Sequence, residues 1–242
     1  MRADIDTIIK FQPSQHSLDW YRVRLGRFTG SQVGRLMKRG RAKADTFSKD
    51  GVGYIAEVVA EQLLNPAVIQ IDEMFEEYLT QTTATSKAMA WGNDQEMNAR
   101  GLYASKYGFK VTSCGCIKYG NMFGDSPDGL LLDEDGVIEI KCPSNKQHTV
   151  YMAQVREGED LKRVNAEYYW QVMAHLLVTD AAFCDWMSYC PFSSKPLHVA
   201  RIERDEDAIA QLRERIELAA QIADVMRSAI LRGDKFVSDE VL

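Results

Sequence analysis

The sequence predicts a mixed α/β (α+β) fold in which a central mixed β-sheet is flanked by helices. Segments with helical periodicity alternate along the chain with short apolar runs that suit strands. Two of these runs, 129–132 and 137–141, are separated only by Asp133-Glu134-Asp135-Gly136, a strong turn signal that predicts a β-hairpin. The length of 242 residues and the hydrophobic content of 45% suit one domain of this class.

The remaining elements follow from apolar spacing in chain order. Residues 1–18 are expected to be an extended lead-in, and a helix start is expected at 29–31 because Val33, Leu36 and Met37 follow as an apolar stripe. Further helices are predicted over 52–64, 73–79, 89–107, 168–177 and 205–231, strands over 110–117, 182–189 and 197–203, and a polar stretch over 144–167. Since no repeat or low-complexity linker interrupts the chain, a single domain over 1–242 is the simplest partition.

The predicted hairpin brings acidic and basic side chains together. Side chains alternate faces along a strand, so Glu139 and Lys141 share one face while Ile138 and Ile140 share the other. A four-residue loop would place Asp128 opposite Lys141. A two-residue loop shifts the register but keeps Asp128 on the face of Glu139 and Lys141. Both registers therefore predict two carboxylates and one lysine beside an apolar sheet face.

This combination suits a metal-dependent hydrolase. Converging carboxylates bind hard divalent cations, and Mg²⁺ prefers oxygen ligands while keeping several waters. A lysine beside such a metal can orient or deprotonate an attacking water, or stabilise charge on a phosphate. The alternative is ordinary turn and surface chemistry, because Asp-Gly turns and exposed Glu-x-Lys pairs are common.

Charge is distributed unevenly along the chain. The net charge is −6, yet residues 22–43 contain no acidic residue. We call the basic residues of this segment the basic stripe: Arg22, Arg24, Arg27, Arg35, Lys38, Arg39, Arg41 and Lys43. Such a stripe can bind phosphates although the protein is acidic as a whole, and the alternative is a solvated helix face.

Composition excludes several classes of protein. No apolar run is long enough to span a membrane and no signal peptide is recognisable, which predicts a soluble, cytoplasmic protein without a membrane partner. The five cysteines are odd in number and lack paired C-x-x-C spacing, so neither a disulfide framework nor a zinc site is expected.

Five ordered segments resemble the lambda exonuclease (YqaJ-type viral recombinase) family of the PD-(D/E)xK nucleases. They are W-x-x-x-R-x-G…T-x-S at 20–31, G-x-x-x-E at 92–96, S-P-D-G-L with E-I-K-C-P at 126–143, Y-W-Q-V at 169–172, and I-E-R-D-E at 202–206. The resemblance extends over roughly residues 18–230. It implies a restriction-endonuclease-like core for the predicted sheet and helices.

The resemblance also implies a set of metal-site residues. Mg²⁺, with Mn²⁺ as a substitute, would be bound by Asp128, Glu139 and the backbone carbonyl of Ile140. Glu96 would hold metal-bound water or a second ion. Lys141 would contact the nucleophilic water.

Two residues of the predicted helix over 168–177 have apolar neighbours and need hydrogen-bonding partners. The resemblance implies that Gln171 supports Lys141 or the substrate, and a core hydrogen bond remains the alternative. His175 lies one turn later on the same face, where we expect a packed core histidine rather than a metal ligand.

The function that the resemblance implies is an Mg²⁺-dependent exonuclease that degrades one strand of linear double-stranded DNA from its end, 5′ to 3′, in phage-type homologous recombination within a bacterial host. Arg24 and Ser31 match positions that bind the 5′ phosphate, and Arg41 falls where the family has a basic residue entering the duplex end. The implied partners are DNA ends, a ring-shaped homotrimer and a single-strand annealing protein. The alternatives are an endonuclease or a flap or single-strand nuclease of the same chemistry, a non-enzymatic DNA-end-binding protein, and a metal site for a small phosphoester.

Overall fold

The computed structural model describes residues 13–40, 46–82 and 87–236. In these ranges two sheets are flanked by helices, which is the predicted mixed α/β class. The smaller sheet contains β1 (Phe28–Thr29), β2 (Ile117–Tyr119) and β3 (Phe123–Asp125) in the order β1-β3-β2. The larger sheet contains β4 (Gly129–Leu131), β5 (Gly136–Lys141), β6 (Phe183–Tyr189) and β7 (Leu197–Glu203) in chain order.

The larger sheet is mixed, as predicted. Strands β4 and β5 form the antiparallel hairpin, β5 and β6 are parallel, and β6 and β7 are antiparallel. The hairpin pairs Gly129 with Ile138 and Leu131 with Gly136. Continued by one residue, this register sets Asp128 opposite Glu139, and residues 132–135 form the turn between the paired strand ends. The pairing of Asp128 with Lys141 is not observed.

Helices account for most of the remaining described chain. They are α1 (Leu18–Arg24), α2 (Lys49–Gln62), α3 (Pro66–Gln70), α4 (Asp72–Thr82), α5 (Lys87–Tyr107), α6 (Asn145–Gln154), α7 (Gly158–Val164), α8 (Ala166–Thr179) and α9 (Glu206–Arg232), with a 3₁₀ turn at Val33–Arg35. A search of the described helices finds none that is long and apolar enough to cross a membrane.

Helices cover both faces of the larger sheet. Ile138 and Ile140 pack with Tyr103 of α5 in one apolar cluster. The opposite face, with Val137, belongs to the main core together with α8. Because α8 contacts strands of both sheets and is buried along residues 169–177, its polar side chains in that span must find partners inside the protein.

The start of α8 is fixed by local chemistry. The side chain of Asn165 accepts a hydrogen bond from the backbone N–H of Tyr168 at 3.1 Å, which satisfies a donor that the first helical turn leaves free. The helix ends at Asp180, which adopts φ 56°. These two boundaries set which residues of α8 face the hairpin.

Three sequence predictions are wrong. Residues 110–117 do not form a strand: Thr112 makes an isolated bridge to Leu130, and β2 begins only at Ile117. The expected helix start at 29–31 is instead the end of strand β1, followed by a 3₁₀ turn, because Phe28 and Thr29 pair in parallel with β3.

The third wrong prediction is the polar stretch over 144–167, which contains α6 and α7. The hydroxyl of Ser144 accepts from the N–H of Gln147 and caps α6. Tyr151 and Leu161 are buried against the core although polar residues surround them in the sequence. The expected lead-in lies mostly outside the described residues, and α1 begins at Leu18.

Candidate active site

The open end of the hairpin brings Asp128, Glu139 and Lys141 together. Glu139 is buried and its Oε1 lies 2.5 Å from the Lys141 Nζ. The Asp128 carboxylate is partly exposed, and its Oδ2 accepts a hydrogen bond from the backbone N–H of Ile140 at 2.6 Å. Since this bond is made by the residue between Glu139 and Lys141, it fixes Asp128 against the same short segment of β5.

The second oxygen of Glu139 contacts His175 of α8. The Nε2 of His175 lies 2.7 Å from Glu139 Oε2, and its Nδ1 lies 2.6 Å from Asp125 Oδ2. All three side chains are buried. Because both ring nitrogens face carboxylate oxygens, both donate, and the ring carries a proton on each nitrogen.

These contacts shift the pKa values of Glu139 and His175 in opposite directions. Burial by itself would raise the pKa of Glu139, but the positive charges of Lys141 and His175 lower it to about 2. Burial by itself would lower the pKa of His175, but Asp125 and Glu139 raise it to about 10. At neutral pH the site therefore contains a carboxylate at Glu139 and an imidazolium at His175.

The pKa of Asp128 is raised, in contrast to that of Glu139. Burial raises its pKa well above the ordinary value, and the negative charges of Glu139 and Glu96 raise it further, while Lys141 acts against them. Glu96 lies on α5 and forms an ion pair with Arg100 at 2.7 Å. Its own pKa is raised by burial, and Arg100 counteracts that effect.

Lys141 is surrounded by groups that orient its ammonium. Gln171 Oε1 accepts from the Lys141 Nζ at 3.0 Å, and the ring of Tyr168 lies 4.7 Å from the same atom. Burial would lower the pKa of Lys141, but the charges of Glu139 and Asp128 raise it. The Gln171 carboxamide is therefore in contact with Lys141.

The donors at the hairpin fit a hard divalent cation. They are carboxylate oxygens of Asp128 and Glu139 next to the backbone of Ile140. Burial and the negative charges of Glu139 and Glu96 raise the pKa of Asp128, and a cation beside it would favour the charged carboxylate. In the described part of the chain, no group of three or more His, Cys, Asp or Glu side chains is already arranged to hold a metal ion. Glu96 and Glu139 form ion pairs with Arg100 and Lys141.

A second cluster lies two residues before Asp128. The Arg24 guanidinium lies 3.4 Å from the Ser126 hydroxyl and 3.5 Å from the Ser31 hydroxyl, and it stacks 4.2 Å from the ring centroid of Trp20. Trp20 is buried and donates from its indole N–H to Ser126 at 3.0 Å. We call Arg24, Ser31 and Ser126 the end pocket. Its donors suit an anion such as a phosphate.

One carboxylate connects the end pocket to the hairpin. Asp125 Oδ1 accepts from the backbone N–H of Ser126 at 2.9 Å, while Oδ2 contacts His175. Gly30 lies against this carboxylate so closely that an added Cβ would be 2.2 Å from Asp125 Oδ1. The close approach explains why a residue without a side chain precedes Ser31.

Three residues of the basic stripe are paired with acidic side chains. Arg22 pairs with Asp19 and Asp72, Arg35 with Asp50 and Glu57, and Lys38 with Asp50 and Glu167. Acidic side chains therefore interrupt the stripe at these three positions, which the absence of acid within 22–43 did not indicate. Arg24 contacts two hydroxyls and an aromatic ring, and Arg27 contacts backbone carbonyls. Arg41 lies outside the described residues.

Sequence reasoning missed Asp125 and Ser126 as parts of the site. Ser126 stood inside the recognised S-P-D-G-L motif, so its position offered a signal. Asp125 offered none, because its partner His175 lies 50 residues away. His175 is packed in the core as expected, but its contacts are with charged groups at the hairpin. Trp20 is a buried anchor, whereas Trp91 stacks on the exposed ring of Phe192.

Comparison with known proteins finds one family model and several solved structures that are similar to this chain. The YqaJ-like viral recombinase domain matches residues 19–182. The crystal structure of an alkaline exonuclease from Laribacter hongkongensis, LHK-Exo, is similar with a TM-score of 0.70 and 26% identity, covering 90% of this chain and 97% of that chain. The complex of LHK-Exo with dAMP gives a TM-score of 0.70 and 27% identity over the same shares.

A phage-related exonuclease from Haemophilus somnus 129PT shares the fold at 14% identity, with a TM-score of 0.65, covering 84% of this chain and 96% of that chain. Comparison with curated proteins gives no match. The likeness to these exonuclease structures agrees with the predicted fold class of mixed sheets flanked by helices.

Proposed function

Because the chain belongs to the YqaJ-like viral recombinase domain family, we propose that it is a metal-dependent exodeoxyribonuclease acting at the ends of linear duplex DNA. The strongest support for this proposal is that two sites of different chemistry lie close together in the sequence. Ser126 of the end pocket and Asp128 of the hairpin are separated by one residue, so their Cα atoms lie at most about 7 Å apart. A pocket for a terminal phosphate this close to a hydrolytic site favours removal of nucleotides from an end.

The metal-site residues are Asp128, Glu139 and the carbonyl of Ile140, with Glu96 beside them, and Mg²⁺ is the proposed ion with Mn²⁺ as a substitute. When bound, the ion would polarise the phosphate and activate water. The protein side chains have separate tasks. Lys141, whose pKa is raised, stays protonated at neutral pH, which favours stabilisation of phosphate charge over proton abstraction. Gln171 orients that ammonium.

The end pocket would determine where the strand is bound. The Arg24 guanidinium presents parallel N–H donors that can bind a phosphate at two oxygens, and the hydroxyls of Ser31 and Ser126 flank it. A terminal 5′ phosphate bound there favours 5′-to-3′ degradation. Arg41 is proposed from the family pattern alone. A homotrimeric ring, a single-strand annealing partner and a role in phage recombination likewise remain proposals that rest on the resemblance.

Three other functions stay testable. An endonuclease, flap nuclease or single-strand nuclease would use the same hairpin without needing a duplex end. A DNA-end-binding protein would use the end pocket without hydrolysis. A phosphoesterase for small substrates would not need the end pocket at all.

The deciding experiment compares linear duplex DNA, labelled at one 5′ or 3′ end, with the closed circular form of the same sequence. In Mg²⁺ we expect mononucleotides from the 5′ end of linear DNA and an intact circle. Cutting of the circle would indicate an endonuclease, and binding of linear DNA without product would indicate an end-binding protein. Ca²⁺ should support binding without cleavage, because its longer and looser coordination positions water poorly.

A matched pair of variants tests the site itself. Asp128→Asn should reduce cleavage by at least about a thousandfold, since losing a charged ligand costs several kcal/mol of barrier and about 1.4 kcal/mol is tenfold in rate. Asp133→Asn is the control, because Asp133 is the same residue type in the same hairpin but exposed in the loop. Equal activity of the two variants would show that the site has been placed wrongly.

A further inference from the structure

The side chain of Glu139 is fixed at both of its oxygens. Oε1 contacts the Lys141 ammonium at 2.5 Å and Oε2 contacts His175 Nε2 at 2.7 Å. A carboxylate with one partner can rotate about its last bond, but two partners from different elements fix its plane. Lys141 belongs to β5 with Glu139, whereas His175 comes from α8.

His175 is in turn fixed from behind. Its Nδ1 donates to Asp125 at 2.6 Å, and Asp125 is the last residue of β3 in the smaller sheet. Asp125 accepts from the N–H of Ser126 and lies against the backbone of Gly30. The His175 ring therefore connects the two sheets. Turning the ring over would break both of its hydrogen bonds.

We infer that His175, anchored by Asp125, is a positioning residue that sets the orientation of the Glu139 carboxylate for a divalent cation. This inference rests on the proposed function, in which Glu139 is a metal ligand. Partners that orient ligands in this way change metal affinity or activity by about ten- to a hundredfold when they are removed.

A merely structural role for His175 makes a different prediction. A buried histidine that only satisfies the core should, when replaced, lower stability without altering how the remaining folded protein binds metal. The chain offers a matched control for that case. His148 is equally buried and uses both ring nitrogens, but its partners are the Ser188 hydroxyl at 2.7 Å and the Lys195 carbonyl at 2.9 Å.

The test measures binding of Mn²⁺ to the full chain without DNA, by the electron paramagnetic resonance signal of free Mn²⁺. His175→Gln and Asp125→Asn should each raise the dissociation constant at least about tenfold, and His148→Gln should leave it unchanged. Asp125→Asn keeps the shape of the side chain and leaves His175 in place. It therefore tests the inference even if His175→Gln does not fold. The folded fraction of each variant is measured by circular dichroism.

Activity gives a second readout. The Mg²⁺ concentration for half-maximal cleavage should rise by a similar factor in His175→Gln and Asp125→Asn, while KM for DNA stays near the wild-type value in His175→Gln. If a folded variant of either kind binds Mn²⁺ within about twofold of the wild type, the inference is overturned and the proposed nuclease function stands. If the wild type itself neither binds Mn²⁺ nor cleaves linear DNA, the proposed function fails and the inference with it.

Discussion

Raising the pH in the absence of metal should weaken the fold through the single buried group His175. The neighbouring Asp125 and Glu139 raise its pKa from an ordinary 6.5 to about 10. Below about pH 6.5 the folded and unfolded chains both bind the proton, and the stabilisation is complete. As the pH rises towards about 10 the unfolded chain releases the proton while the folded chain keeps it, so the stabilisation is lost.

The magnitude follows from the linkage relation. A difference of about 3.5 pKa units corresponds to about 5 kcal/mol over the whole range, at about 1.4 kcal/mol per unit. Between about pH 7 and about pH 8.5, the stabilisation contributed by His175 falls by about 2 kcal/mol. The buried thiols Cys114 and Cys184 add to this loss as the pH rises, because burial raises their pKa.

The assay is urea unfolding in EDTA at the two pH values, combined with NMR of histidine ring carbons across the same range. The free energy of unfolding should fall by at least about 2 kcal/mol, and the ring of His175 should stay doubly protonated at pH 8.5. His198 is the internal reference, since burial lowers its pKa and its ring should be neutral at both pH values. An unchanged free energy of unfolding, or a His175 ring that titrates near pH 6.5, would refute the charge assignment.

Three variants test other contacts. Lys141→Ala should lower kcat far more than DNA affinity, because its proposed role is to stabilise charge on the reacting phosphate, and equal losses in both would make it a simple phosphate contact. Arg24→Ala should slow digestion of 5′-phosphorylated duplex by about ten- to a hundredfold and 5′-hydroxyl duplex little, since charged hydrogen bonds contribute about 1.5–3 kcal/mol; parallel slowing would exclude recognition of the end. Gly30→Ala should lower the free energy of unfolding by about 1–3 kcal/mol, because the new methyl group displaces the Asp125 carboxylate, and unchanged chemical denaturation would contradict the close contact.

The hairpin could be predicted because its determinants are local. Alternation of side chains along β5 places Glu139 and Lys141 on one face, and the turn residues between the two strands identify the pairing. The register could not be chosen from the sequence, because both loop lengths leave the charged residues on the same face. Only the observed pairing of Gly129 with Ile138 distinguishes them.

The charge environment could not be predicted, because it depends on contacts between distant segments. The absence of acid within 22–43 suggested an anion-binding surface, yet Asp72, Glu57 and Glu167 approach it in the folded chain. Burial of His175 followed from its apolar neighbours in the sequence. Its two carboxylate partners come from other elements, so the histidine looked like an ordinary core residue.

The parallel pairing of β5 with β6 has a consequence for when the protein can act. Parallel neighbours require a long crossover, and here that connection contains α8, which delivers Gln171 and His175 to the hairpin. During synthesis, Asp128, Glu139 and Lys141 leave the ribosome well before these two partners. Because such long-range pairings form late, we expect a nascent or truncated chain to be without nuclease activity until the crossover has folded. The topology would thereby keep a DNA-degrading enzyme inactive while it is incomplete.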